Sequence, residues 1–135
     1  MTTGKRKQPR ATKQRAAIAG LLERSGAFKS AQELHDMLRL QGTGVGLATV
    51  YRTLQSLAET GEVDVLRNDA GEVIYKKCAS DHHHHHLVCT HCGISVEVES
   101  DEVERWAEGV ARRHGFTASR HSAEVFGHCG TCSSL

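Results

Sequence analysis

The chain has 135 residues, 39% hydrophobic and only 4% aromatic, so it can hold one ordinary domain or two small ones but not a large aromatic core. The net charge of +1 hides an asymmetry, because residues 1–80 carry 13 Lys/Arg against 8 Asp/Glu, whereas residues 81–135 carry 4 against 8. A basic half joined to an acidic half predicts a polyanion-binding module followed by a module of another kind.

The first predicted element is a helix over about 12–24, behind a basic start. The apolar run 16–22 raises a signal peptide as an alternative, but the run is short and meets Glu23-Arg24 instead of a small-residue cleavage site. No other stretch approaches the length of a membrane span. We therefore predict a cytoplasmic protein with no membrane partner. Six basic residues precede the first acidic residue: Lys5, Arg6, Lys7, Arg10, Lys13 and Arg15.

The next two predicted helices are joined by a glycine-rich turn. Helix two begins at Ser30, whose partner Glu33 completes a capping box. The turn at 42–46 separates it from helix three at about 47–60.

Helix three has one apolar face and one face of hydrogen-bonding side chains. Val50, Leu54 and Leu57 recur at helical spacing and are expected to face the core. The opposite arc suits a major groove, because it offers hydrogen-bonding groups and a guanidinium with little negative charge. The residues expected to face bases or nearby phosphates are Thr49, Tyr51, Arg52 and Gln55.

Two short runs after helix three predict a hairpin. The apolar segments 63–66 and 73–75 flank the turn sequence N-D-A-G at 68–71. Three helices and a hairpin indicate a winged helix, with an unrelated helical domain as the alternative. Lys13, Arg15 and the basic residues before them are expected to contact DNA phosphates.

The second half predicts a β-β-α-β unit. Its expected elements are strands at 87–88 and 94–98, a helix at 101–114 and a strand over 116–127. Gly115 is the expected stop of the helix.

Four of the five cysteines form two C-x-x-C pairs, Cys89/Cys92 and Cys129/Cys132. Four thiolates make a closed tetrahedral site, the usual structural zinc arrangement. Zinc would fasten the ends of the unit between the pairs, and in small zinc peptides such binding contributes about 10–16 kcal/mol. The redox alternative requires a C-x-x-C at a helix N-terminus in a thioredoxin-like fold, and neither pair is predicted there.

Five consecutive histidines occupy 82–86. A purification tag is one interpretation, but tags lie at termini and this run lies inside the chain. In an extended segment His83 and His85 share one side, and His84 and His86 share the other. Each pair is half of a metal site. The candidates to complete them are Asp64, Cys78, Glu104 and His121, and spacing alone leaves their pairing open.

With these motifs the chain resembles the ferric uptake regulator (Fur) family, and within it the zinc uptake regulator branch. The resemblance covers about 10–132. The matching motifs are A-T-V-Y-R-T-L at 48–54, the histidine run entering Cys89-x-x-Cys92, and the ending His121, Glu124, Gly127-His128-Cys129-x-x-Cys132.

The resemblance implies an α+β fold: a winged-helix DNA-binding domain with a basic arm at 1–79, a hinge and metal-binding segment at 80–86, and a small α/β dimerisation domain with structural zinc at 87–135. It also implies up to three Zn²⁺ per subunit in three ligand sets. These are Cys89, Cys92, Cys129 and Cys132 (structural); Asp64, Cys78, His84 and His86 (hinge); and His83, His85, Glu104 and His121 (second regulatory site).

The implied function is zinc-responsive repression of zinc-homeostasis genes by a homodimer bound to inverted-repeat, double-stranded operator DNA. Iron-sensing relatives typically read H-H-D-H at 83–86, so an imidazole here replaces an oxygen ligand, and Cys78 adds a thiolate. Nitrogen and sulfur donors favour zinc, with iron, nickel or manganese as the alternatives. A zinc store and a hydrolase with Glu104 as base are the rival classes. Since every implied site is four-coordinate, we expect neither an enzyme nor a small-molecule substrate.

Overall fold

The computed structural model of the chain describes residues 10–78, 82–117 and 120–134, apart from the side chain of Arg10. Lys5, Arg6 and Lys7, expected to contact DNA, lie outside the described residues. The chain divides into two compact units, Met1–Asp81 (unit 1) and His82–Leu135 (unit 2).

Unit 1 contains three helices and a small antiparallel sheet. Its elements are α1 (Arg10–Ser25), β1 (Lys29–Ser30), α2 (Ala31–Leu40), α3 (Leu47–Glu59), β2 (Val63–Arg67) and β3 (Val73–Lys77). The sheet order is β1-β3-β2. The predicted capping box is present, since the Ser30 hydroxyl accepts from the Glu33 backbone N–H and the Glu33 carboxylate accepts from the Ser30 N–H.

The helices of unit 1 close over one apolar core. Val50, Leu54 and Leu57 of α3 are fully or almost fully buried, as the periodicity predicts. The β2–β3 turn is held by the Asn68 carboxamide, which accepts from the Ala70 and Glu72 backbone N–H groups. Three helices with this hairpin make the winged-helix arrangement.

Unit 2 is a three-stranded sheet with a long helix. Its elements are β4 (His85–Cys89), β5 (Ser95–Val98), α4 (Asp101–Arg113), β6 (Glu124–Gly127) and α5 (Gly130–Ser133). The sheet order is β5-β4-β6, with β5 antiparallel and β6 parallel to β4. The α+β fold class is confirmed.

The last strand is shorter than the sequence predicts. The expected strand over 116–127 is reduced to Glu124–Gly127, and residues 116–117 and 120–123 are not in a strand. The reason is pairing: β4 begins at His85, one residue before the His86–Glu124 pair, so the residues before 123 have no partner in β4. The two-residue β1 and the one-turn α5 were not predicted.

None of the helices in the described ranges is long and apolar enough to cross a membrane.

Candidate metal centres and nucleic-acid interface

Four thiols meet at one end of the unit 2 sheet. Cys89 ends β4, and Cys129 follows β6, which pairs in parallel with β4 so that Cys89 lies opposite Gly127. Cys92 lies in the turn after β4, and Cys132 lies in α5. All four sulfur atoms are within 4.8 Å of one another. The parallel pairing therefore brings together two C-x-x-C motifs that are far apart in sequence.

The backbone prepares one of these sulfurs to be a thiolate. The N–H groups of Cys129 and Cys92 donate to the Cys89 sulfur at 3.4 and 3.5 Å and lower the pKa of that thiol to about 5. Hydrogen bonding to the neighbouring thiols, chiefly Cys129, raises the pKa of Cys132 to about 12. One thiolate is thus favoured and a fully ionised set is opposed, unless a cation neutralises the cluster.

The donor set fits zinc. The sulfurs of Cys92 and Cys129 are 3.8 Å apart. A tetrahedron of sulfurs at the usual zinc–sulfur distance of ~2.3 Å has edges of about 3.8 Å. Four thiolates leave no open position for water, so the arrangement suits a structural ion and not a catalytic one.

A second cluster joins β4 to α4. The Nε2 atoms of His83 and His121 are 3.1 Å apart, and His85 Nε2 lies 2.8 Å from Glu104 Oε1. The Glu104 carboxylate also lies 3.1 Å from His83 Nε2 and 3.0 Å from His121 Nε2. The structure therefore brings together all four residues that the resemblance assigns to the second regulatory site, each offering one ligand atom.

The chemistry of this second cluster suits a cation. Hydrogen bonding from His85, and then from His121, lowers the pKa of the Glu104 carboxyl, which keeps it anionic. His85 is buried, and its Nδ1 has no hydrogen-bond partner within the described residues. Imidazole nitrogens and carboxylate oxygens are both zinc ligands in proteins.

The four residues of the expected hinge set are divided between the two units. In unit 1, the Cys78 thiol directly after β3 donates to the Asp64 carboxylate on β2 at 3.1 Å. Because both side chains belong to the hairpin, the winged helix itself holds them side by side. They supply a thiol and a carboxylate, which is half of a tetrahedral site.

In unit 2, His84 and His86 lie together with ring centroids 4.8 Å apart. Glu97 of β5 joins them: its Oε1 lies 3.8 Å from His84 Nε2, and it is paired with His86 in the sheet register. Glu97 was not among the metal ligands predicted from the sequence. The alternation of Val96 and Val98 predicts that Glu97 lies on the sheet face opposite to theirs. The sequence does not show which strand pairs with β5, so the position of Glu97 beside His84 and His86 depends on the observed register.

The face of α3 expected to meet DNA is open to solvent. Tyr51, Arg52 and Gln55 are exposed and Thr49 is half-buried, while Arg52 donates to the Thr49 hydroxyl at 3.2 Å. This bond holds the guanidinium along the outer face of the helix. The predicted face therefore presents donors and acceptors that can contact a nucleic acid.

The two described basic residues expected to contact phosphate differ. The Lys13 side chain is exposed on α1. The Arg15 guanidinium instead donates to the Ser56 hydroxyl at 2.8 Å and to the Glu62 carboxylate at 2.7 Å. Arg15 is engaged inside unit 1, and Lys13 is presented outward.

Comparisons with known proteins agree on one family. The model of the ferric uptake regulator family matches residues 6–126. The zinc uptake regulation protein of Mycobacterium tuberculosis is 57% identical over 125 residues, covering 93% of this chain and 95% of that protein.

Solved structures give the same result. FurB of M. tuberculosis, described as a zinc uptake regulator, is 57% identical with a TM-score of 0.55, covering 91% of this chain and 95% of that one. The ferric uptake regulator of Vibrio cholerae is 31% identical with a TM-score of 0.69, covering 91% and 92%. The chain therefore belongs to the ferric uptake regulator family of transcription regulators.

Proposed function

We propose that the chain is a zinc-responsive transcriptional repressor of zinc-homeostasis genes, which acts in the cytoplasm and binds inverted-repeat operator DNA as a homodimer. The observation that carries the proposal is the donor chemistry of the clusters: thiols in one, and imidazoles with a carboxylate in another. Nitrogen and sulfur donors suit zinc better than iron or manganese, which prefer oxygen-rich sites. The M. tuberculosis relative is named for zinc uptake regulation.

Each subunit binds three zinc ions in this proposal. The four-cysteine site is structural, and the other two are regulatory. The regulatory ligands are Asp64, Cys78, His84 and His86 at the hinge, and His83, His85, Glu104 and His121 in unit 2.

The hinge ion is the one that couples zinc to DNA. In this assignment Asp64 and Cys78 supply two ligands from unit 1, and His84 and His86 supply two from unit 2, so the set of four is complete only when both units contribute. An ion that requires ligands from both units binds only the arrangement of the units in which both ligand pairs reach it. The ion therefore shifts the conformational population toward that arrangement, by an amount set by its difference in affinity for the two states. The V. cholerae relative is described as having a structural rearrangement of its DNA-binding domains, and we propose a rearrangement of this kind here.

DNA recognition divides into two parts. Tyr51, Arg52 and Gln55, exposed on α3, read base edges or nearby phosphates, together with Thr49. Lys13 and the basic residues before α1 add phosphate contacts, which are independent of sequence and weakened by salt.

The homodimer is supported by apolar side chains that unit 2 leaves uncovered. Leu87, Val96 and Val125 lie side by side across the three strands, and all three are exposed. Trp106 on α4 and Phe116 after it are exposed as well. A contiguous apolar face of this kind usually marks an interface, and we propose that a second copy of the chain covers it.

The test is a titration of DNA binding against buffered free zinc, iron and manganese, with metal counted per subunit. The DNA is a duplex selected from a randomised pool by the zinc-loaded protein. Zinc is expected to raise DNA affinity about 5- to 150-fold, the usual range for coupled sites. A chelator-treated, still dimeric protein that binds the duplex as tightly as the loaded form overturns the proposal.

Single substitutions test the hinge. Cys78→Ser and His84→Ala are expected to abolish the zinc dependence of DNA binding and to leave a folded dimer. His91→Ala, which changes an exposed histidine beside the cysteines, is the matched control and is expected to keep the zinc response. A full zinc response in either hinge variant contradicts the assignment.

A further inference from the structure

Arg15 joins three parts of unit 1. Its Nη1 donates to the Ser56 hydroxyl on α3 at 2.8 Å, and its Nη2 donates to the Glu62 carboxylate, between α3 and β2, at 2.7 Å. The Arg15 and Glu62 side chains are 36% and 43% exposed. Both terminal nitrogens of the guanidinium are thus directed at protein atoms, in the fork geometry that suits arginine and that lysine cannot reproduce.

Glu62 is itself held from two sides. The Thr60 hydroxyl donates to the same carboxylate oxygen as Arg15 does. The backbone carbonyl of Glu62 accepts the N–H of Cys78 at 3.2 Å. Arg15 is thereby tied through Glu62 to the hairpin that carries the Asp64–Cys78 pair.

We propose that Arg15 is a positioning residue for DNA recognition, fixing α1 against the end of α3 and the start of the hairpin, and is not itself a phosphate contact. The inference rests on the proposed DNA-binding function and differs from the role that the sequence predicts for Arg15. Lys13, two residues earlier and exposed, is the side chain that reaches phosphate from α1.

The two possible roles of Arg15 predict opposite effects of a Glu62 substitution on DNA affinity. If Arg15 bound a phosphate, Glu62 would compete with DNA for the guanidinium, and Glu62→Gln would strengthen DNA binding. If Arg15 positions α3, Glu62 is its anchor, and the same substitution weakens DNA binding.

The experiment measures the salt dependence of DNA affinity for zinc-loaded, full-length protein and variants on the selected duplex. Each phosphate contact on a duplex contributes ~0.9 to the slope of log affinity against log salt. Arg15→Gln and Glu62→Gln are each expected to lower affinity about three- to tenfold with the wild-type slope. Lys13→Gln, the matched control, removes one phosphate contact from each subunit of the proposed homodimer and is expected to reduce the slope by about 1.8.

Arg15→Lys separates the roles further, because lysine keeps the charge but not the fork. We expect Arg15→Lys to bind as weakly as Arg15→Gln, whereas a phosphate contact would be largely restored. Unfolding temperature and zinc content are measured for every variant. If Arg15→Gln does not fold, the direction of the change in DNA affinity in Glu62→Gln distinguishes the two roles.

The proposal is overturned by tighter DNA binding in Glu62→Gln, by a shallower slope in Arg15→Gln, or by rescue in Arg15→Lys. If zinc-loaded wild-type protein selects no duplex, the proposed function fails and this inference fails with it. If the wild type binds the duplex and the DNA affinities of the variants change in the opposite direction, only the proposed role of Arg15 is wrong.

Discussion

The two units of the chain are stabilised in different ways. Unit 1 buries a contiguous set of apolar side chains contributed by α1, α2, α3 and the hairpin. Its core consists of Ile18, Leu21, Leu22, Ala31, Leu34, Leu38, Val45, Val50, Leu54, Leu57, Val63 and Tyr75. A core of this size is what a small domain needs to fold through burial alone.

Unit 2 has no comparable core among its described residues. Of the residues described in unit 2, His85, His86, Val88 and Cys89 alone are buried, and three of these four can ligate a metal. Helix α4 has no buried residue, although its apolar positions line one face. In unit 2 the place of a hydrophobic core is taken by side chains that can ligate a metal ion, and its sheet and helix expose an apolar face. The comparison leads us to expect that unit 1 folds by packing, whereas unit 2 depends on metal ligation and on assembly.

The largest expected effect comes from removing the structural zinc. Cys89→Ser deletes the prepared thiolate, and because such an ion contributes about 10–16 kcal/mol in small domains, we expect unit 2 to unfold while unit 1 stays folded. Limited proteolysis with mass spectrometry distinguishes the units. Cys78→Ser, a thiol outside this cluster, is the control and is expected to leave unit 2 resistant. Equal resistance of unit 2 to proteolysis in both variants would show that metal ligation by the four cysteines does not stabilise the fold of unit 2.

A cavity in unit 1 tests the other half of the comparison. Leu54 is completely buried, so Leu54→Ala should lower the free energy of unfolding of unit 1 by about 2–5 kcal/mol, with no change in zinc content. Leu40→Ala, at a leucine that is 89% exposed, should change it by less than about 0.5 kcal/mol. Chemical denaturation followed by circular dichroism measures both. Loss of zinc in Leu54→Ala would mean that the units do not fold independently.

The uncovered apolar face predicts a smaller effect on assembly. Val125 is 62% exposed on β6, at one edge of that face, and Val125→Asp should weaken self-association by about 1–3 kcal/mol, because a charge would have to be buried in the dimer. Sedimentation equilibrium measures the dissociation constant. Ser122→Asp adds the same charge at an exposed position just before β6 and should leave the dimer intact. Equal dissociation constants for Val125→Asp and wild type would place the interface elsewhere.

The difference between the units also explains how far the sequence could predict the fold. In unit 1 the spacing of Val50, Leu54 and Leu57, the capping box at Ser30 and the hairpin turn are local signals, and packing reinforces each of them. In unit 2 the start of the strand predicted over 116–127 depends on where its parallel partner β4 begins, which is a long-range property. The predicted strand was too long, because the alternation of residues does not reveal which strand it pairs with.

The candidate sites follow the same rule. Strand alternation was sufficient to separate His83 and His85 from His84 and His86, and the cysteine spacing was sufficient to group the thiols. Glu97 was missed because its place beside His84 depends on the register between β4 and β5. The bonding of Arg15 was missed because a guanidinium near an N-terminal basic run looks like a phosphate contact until its acceptors on distant elements are known.

The smallest expected effect concerns the pH dependence of unit 1. Hydrogen bonding from Thr60, and then the charge of Arg15, lower the pKa of Glu62 below its ordinary value of 4.5, with Lys77 adding to the effect. A carboxyl with a lowered folded-state pKa stabilises the fold at pH values above 4.5, and this contribution is lost as pH falls through the folded-state value. Wild type should therefore melt slightly above Glu62→Gln at neutral pH, by about 2 °C or less for so exposed a pair, and the difference should vanish in acid.

The measurement must separate the effect of losing the Arg15–Glu62 ion pair from the effect of losing one negative charge. Glu59→Gln, at an exposed carboxylate near the end of α3, is the matched control, and the difference between the two variants isolates the bonds to Arg15 and Thr60. Thermal unfolding from neutral pH to below pH 4, followed by a probe of unit 1, gives the two curves. If they coincide at every pH, the Arg15–Glu62 bond adds nothing to the stability of unit 1. Any effect of Glu62→Gln on DNA affinity then arises in how α3 is held, and not in how firmly unit 1 is folded.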